Sequence, residues 1–157
     1  MKQDRFLTGI LVGIGLLVVV ALAVFFTRKD GQTYVSDGTP EGVVHNYVLA
    51  TLNRDYEKAY SYLADLDYKP TYADFRRAFL NGEVNPQNQA VDIGASEITG
   101  DTATVELQLI SGSSDPFSTD YRNIQTADLV KQDGAWKLTL MPQYNFWGYE
   151  WFVKPQK

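Results

Sequence analysis

The sequence predicts an α+β domain, with three helices packed on a curved antiparallel sheet of about four strands, carried behind one transmembrane helix. Three observations predict it. The run Phe6–Phe26 (FLTGILVGIGLLVVVALAVFF) contains no charged side chain. As a helix rising about 1.5 Å per residue it spans roughly 31 Å, the thickness of a bilayer's hydrocarbon core. Between residues 39 and 82 apolar residues recur at helical spacing, and from residue 91 onward the period shortens to two.

Four segments follow: a tail at 1–5, the span at 6–26, a polar stalk at 27–38 and a domain at 39–157. Lys2 and Arg5 before the span balance Arg28 and Lys29 after it, so basic flanks do not orient it. A short tail ahead of an apolar stretch resembles an uncleaved signal anchor, which leaves the N-terminus in the cytoplasm and carries the domain across the cell membrane. Ala21-Leu22-Ala23 offers a competing cleavage site. Against cleavage, the apolar run continues through Val24, Phe25 and Phe26 and then meets Arg28 and Lys29, a stop-transfer pattern. Gly9 and Gly13 form a G-x-x-x-G that lets two membrane helices approach closely, and they face either such a partner or lipid.

In the domain, Thr39 is a good N-cap, Pro40 suits the first helical position, and Glu41 complements the positive end of the helix dipole. Val43, Val44, Tyr47, Val48 and Thr51 then form an apolar stripe, which places a helix to about Asn53 against a sheet. Asp55 caps a second helix whose Tyr56, Ala59, Tyr60 and Leu63 share a face, and Pro70 breaks the pattern. Thr71 and Asp74 resemble a capping box ahead of a third helix burying Phe75, Ala78 and Phe79. Strands are expected at Val91–Ile98, Thr102–Leu109, Tyr121–Gln132 and Ala135–Leu140, with Gly100-Asp101 and Asp133-Gly134 as turns.

Charge and composition exclude several functions. The chain carries −5, and removing the net +2 of residues 1–30 leaves −7 on residues 31–157. The adjacent basic pair of that acidic part is Arg76-Arg77, so nucleic acid is not an expected partner. Cysteine is absent, which rules out thiol catalysis and thiolate metal sites. His45 is the only histidine; with Glu41 it could supply two ligands, short of the three or four that zinc needs. Asp65 and Asp67 lack the oxygen-rich loop of a calcium site. No phosphate-cradling glycine motif occurs, so neither cofactor nor metal is indicated, and no catalytic residue can be named. Asp92, Glu106 and Asp128 alternate with apolar residues and belong on the solvent face.

TPEGVVHNYVLATLNRDYEKAYSYLADL, then TYADFRRAFL, GDTATVEL and LVKQDGAWKL, in that order, resemble the cone-shaped NTF2-like superfamily, which includes ketosteroid isomerase and scytalone dehydratase. The resemblance covers roughly residues 39 to 145. It implies a long curved sheet wrapped around the first helix, enclosing a pocket that some members use for catalysis and others for binding or docking. The membrane helix ahead of such a domain is similar in layout to the VirB8 and TcpC components of secretion and conjugation machines.

Two candidate sites follow. Tyr47, Tyr60, Phe75, Phe79 and Trp136 would line the cone's pocket. The aromatic tail Tyr144–Phe152 (YNFWGYEWF) would either cover the open end of the sheet or present Trp147, Tyr149 and Trp151 as an interaction surface. The function expected is a noncatalytic binding or assembly module anchored in a bacterial envelope, touching lipid through residues 6–26 and contacting a second copy or another envelope protein. The alternative is a small-ligand carrier or an isomerase- or dehydratase-like enzyme.

Overall fold

A computed structural model describes residues 3–27, 33–88, 90–111 and 121–154. Lys2, Arg28 and Lys29, which flank the expected span, lie outside the described residues. The chain divides into two compact units, Met1–Thr33 and Tyr34–Lys157.

The first unit is helix α1, Gln3–Thr27. Its large apolar side chains, from Leu7 and Ile10 through Leu17 to Val20 and Leu22, are exposed around the whole helix. Among the described residues no helix is long and apolar enough to cross a membrane; in α1 the side chains described are those of residues 7–23.

The second unit is α+β. It comprises α2 (Pro40–Leu52), α3 (Tyr56–Ser61), α4 (Tyr72–Leu80), a 3-10 turn at Pro86–Asn88, and strands β1 (Ala90–Thr99), β2 (Thr102–Ser111), β3 (Tyr121–Gln132) and β4 (Ala135–Leu140). The strands form one antiparallel sheet in the order β1-β2-β3-β4. Each helix starts where its cap residue predicts. Thr39 accepts from Gly42 N at 3.2 Å, Asp55 from Lys58 N at 3.2 Å and Thr71 from Asp74 N at 3.2 Å, satisfying amides that have no partner inside a first helical turn.

Asp133 and Gly134 both take positive φ, 51° and 81°, the geometry that a two-residue hairpin matched to strand twist requires. Two irregularities bend the sheet. Gly94 and Ala95 together oppose Glu106, and Thr139 is the extra residue where β4 meets β3; such bulges increase local twist. On β2 the period-two reading holds, with Ala103, Val105, Leu107 and Leu109 buried while Thr102, Thr104 and Glu106 face solvent.

One expectation is corrected by α2. Its sequence suggests a stripe on a sheet, yet Val43, Val44, Tyr47, Val48, Leu49, Ala50 and Thr51 are all buried, leaving no solvent face along most of its length. The sheet covers one side, and other parts of the chain must cover the rest.

Part of that cover comes from a segment that polarity predicts as stalk. Asn46, 1% exposed, accepts from Val35 N at 2.9 Å and donates to Val35 O at 2.8 Å, pairing with the segment as a neighbouring strand would. Its amide also donates to Asp37, which accepts from the Tyr62 hydroxyl at 3.3 Å. Gly42 permits the close approach, because a Cβ there would overlap the Ser36 carbonyl oxygen. On the far side the chain after α3 joins the edge of β4: Leu138 N donates to Tyr62 O and Ala64 N to Leu138 O, both at 2.8 Å.

Asn46→Leu keeps the branched outline but leaves both Val35 backbone groups without their partner, so it is expected to cost about 1–3 kcal/mol in denaturant unfolding. Hydrogen exchange should show residues 34–38 losing protection before the sheet does.

Candidate functional site

The sheet's concave face and α2 define the place where a pocket could form. The chain's own C-terminal aromatics fill it. After β4, Met141 and Phe146 are fully buried, and the Tyr47 hydroxyl donates to the Phe146 carbonyl at 2.6 Å, tying the middle of α2 to the tail. Trp147 lies 6.3 Å from Tyr47, 5.2 Å from Trp151 and 5.6 Å from Phe152 between ring centroids. Trp151 then meets Phe75 at 4.9 Å and Phe79 at 6.1 Å, so an aromatic chain runs from α2 to α4. These spacings fall in the range of favourable ring contacts.

The tail's path makes one close approach and needs unusual backbone at two places. A Cβ on Gly148 would overlap the Trp151 indole. Tyr144 and Phe152 both sit at positive φ, 65° and 61°, a costly region for bulky residues. Each is fixed by hydrogen bonds to distant backbone: Tyr144 O accepts from Asn85 N at 2.8 Å, and Phe152 N donates to Tyr68 O at 3.1 Å.

The five expected pocket residues are accordingly spread through packed regions. Tyr47 and Phe75 are wholly buried. Tyr60 is partly buried, with its hydroxyl on Pro70 O at 2.9 Å and its ring 5.4 Å from Phe75. Trp136 is buried on β4, with the Lys131 ammonium 5.6 Å over its ring. Phe79 borders a surface cleft, of about 370 Å³, shared with Thr51, Arg54, Tyr56 and Asn85. The interaction-surface expectation is corrected for its two indoles, since Trp147 is 1% exposed and Trp151 8%; their size makes them core material here. Tyr149 is 59% exposed and stacks with exposed Tyr144 at 6.4 Å. At Gly9 and Gly13 of α1 an added Cβ would meet nothing within 4 Å.

A second groove, of about 400 Å³, lies at the start of α2 between Val35, Thr39, Gly42, His45 and Ile93 of β1. Glu41 borders it but is engaged elsewhere. It accepts from the Ser96 hydroxyl and from Ser96 N at 3.1 Å, the amide just past the β1 bulge, and the hydroxyl bond chiefly holds its carboxyl below the usual range. This tie joins α2 to β1. Its sequence signal is weak, because Glu41 reads equally well as a dipole partner. Asn46 could have been found, as a lone amide among apolar helical neighbours. The buried polar side chains among the described residues are Asn46 and Thr51, and no three His, Cys, Asp or Glu among those residues gather as metal ligands.

No protein-family model and no curated protein matches the chain. Among solved structures it is similar to a SEC-C motif containing protein from Rhodopseudomonas palustris, with 14% identity and a TM-score of 0.47 over 68% of this chain and 79% of that one. It is also similar to a protein from Novosphingobium aromaticivorans provisionally named an aromatic ring hydroxylase, with 18% identity and a TM-score of 0.42 over 64% of this chain and 85% of the other. Neither similarity gives a residue of this chain a role.

Trp151→Ala should destabilise the domain by about 3–5 kcal/mol, the usual cost of emptying a large aromatic site, read as a lowered denaturant midpoint. Alkaline pH gives a second test. Burial, followed by the Asp37 carboxylate, pushes the Tyr62 phenol up to about 12, whereas an unfolded phenol titrates near 10. The unfolded chain therefore loses this proton first, so the stability Tyr62 supplies is whole below about pH 10 and drains away towards about pH 12. Tyr62→Phe should flatten part of that loss in pH-dependent unfolding; buried Tyr47, also raised well above the ordinary value by burial, contributes in the same direction.

Proposed function

We propose that this chain is a membrane-anchored, extracytoplasmic NTF2-like module that binds or assembles proteins in a bacterial envelope and does no chemistry of its own. The observation that carries the reading is the filled interior. Where an enzyme or carrier of this shape would hold a ligand, Tyr47, Phe75, Phe146, Trp147 and Trp151 pack on one another. Emptying that volume would require removing the tail from the core. Function then belongs to the exterior, where exposed Tyr144 and Tyr149, the outer edge of β1 and the groove beside Ile93 are available.

The NTF2-like assignment rests on element order: three helices, then a bulged antiparallel meander around a buried first helix. Support for the anchor comes from α1, an apolar helix exposed on every described side, whose apolar run the sequence extends to Phe6 and Phe26. Helices apolar all round are stable in lipid or in a large core. The orientation, with the domain outside the cytoplasm, follows the signal-anchor pattern.

Photo-crosslinking of the full chain in native membranes tests the proposal. The expected result is a membrane-retained chain giving discrete crosslinked species, with any homodimer band reduced by Gly9→Leu/Gly13→Leu. Recovery of the chain in the soluble fraction without detergent, or as monomer alone after crosslinking, would overturn it.

A further inference from the structure

Among the described residues β1 pairs with β2 on one side and no strand pairs with its other edge, although the Ser96 amide in the middle of β1 is already held by Glu41. Natural edge strands are usually shortened, interrupted by proline or lined with lysine. This one runs ten residues with neither, and its one irregularity is the bulge at Gly94-Ala95. The pairing register sorts its side chains. Val91, Ile93 and Ile98 lie opposite Leu109, Leu107 and Ala103, on the core side. Ile98 is nevertheless 54% exposed, and Ile93 forms one wall of the groove with Val35 and His45. Asp92 and Glu97 point the other way, beside Gln108 and Thr104, on the face that also carries Glu106 and Asp128. Neither β1 nor β2 contains a lysine or arginine. Arg122 of β3 reaches this face, donating to Gln108 at 3.2 Å, and Glu97 is the farther of the two β1 carboxylates from it.

A strand laid beside β1 would thus meet an apolar groove on one face and carboxylates on the other. A second copy fits this edge poorly. Antiparallel pairing of β1 with itself about Gly94-Ala95 sets Asp92 against Glu97, and an axis at either acidic residue sets that residue against its own copy. Like charges directly opposed destabilise a sheet. We propose that the open edge of β1 receives an extended basic segment of a partner protein. Its main chain pairs with β1, its apolar side chains turn towards Ile93 and Val35, and its alternate lysines or arginines lie over Asp92 and Glu97. Strand addition of this kind draws affinity from backbone pairing and selectivity from alternate side chains.

The inference rests on the binding-module reading and is tested separately from it. The full chain in detergent micelles is mixed with an acetylated six-residue peptide alternating lysine and valine, or with its glutamate–valine counterpart. Binding is followed by fluorescence titration, and hydrogen exchange locates it. The lysine peptide should slow exchange within residues 90–99, and more salt should weaken it. Asp92→Lys/Glu97→Lys, which alters exposed side chains only, should weaken that peptide by about tenfold or more and favour the glutamate peptide, as expected when rim charges set specificity. No slowing in β1, slowing at β3 instead, equal binding of both peptides, or self-association through β1 would overturn the proposal. Crosslinks formed in membranes would survive that failure, whereas their absence would remove the binding-module reading itself.

Discussion

Burial of α2 on nearly every side is the constraint that the domain depends on. A helix of this length is barely stable by itself in water, and one with an apolar surface all round must be enclosed. A four-stranded sheet curves around one side. The remaining cover is supplied by residues 34–38, by α3, by the 3-10 turn at Pro86–Asn88 and by the tail after β4. Three side chains of α2 make the ties: Glu41 reaches the bulge in β1, Asn46 pairs with Val35, and Tyr47 reaches Phe146 across 99 positions of sequence. Each gives a polar group exposed by irregular backbone a partner in a place where water does not reach freely. The sheet's bulges and the helix's polar residues are therefore parts of one arrangement.

The same constraint explains the tail. Six aromatics in nine residues would make an adhesive surface if exposed, but Phe146, Trp147, Trp151 and Phe152 turn inward, and Trp147 and Trp151 link Tyr47 to Phe79. Positive φ at Tyr144 and Phe152 is tolerated because the ring contacts and the hydrogen bonds to Asn85 and Tyr68 offset the local cost. A fold of this shape can leave its concave space open to a ligand or close it with its own chain. Here it is closed, which moves functional interest to the edges of the sheet.

The acidic character of the second unit is likewise unevenly placed. On the outer face of β1 and β2 carboxylates stand without basic neighbours on those strands, while Lys58 lies over the Tyr34 ring, Lys69 over that of Tyr60, and Lys137 donates to Ser61 O. The lysines near α3 thus serve packing and helix ends. A charge total of −7 conceals this division, on which the proposed preference of the β1 edge for a basic segment rests.

Much of the fold was legible in the sequence. The caps at Thr39, Asp55 and Thr71, the alternation of β2 and the Asp133-Gly134 turn are local: each depends on residues a few positions apart whose backbone preferences and periodicities act before any long-range contact forms. The apolar run of residues 6–26 is local in the same sense, and it marks α1. Only the tertiary structure decided which aromatic would be covered and by what. Tyr47, Trp147 and Trp151 read alike as pocket wall, docking surface or core, because a side chain's exposure depends on distant segments that arrive to pack against it. The role of Glu41 turned on a bulge some 55 positions away, and that of Asn46 on a segment whose polarity suggests a stalk. No short-range pattern encodes such pairings.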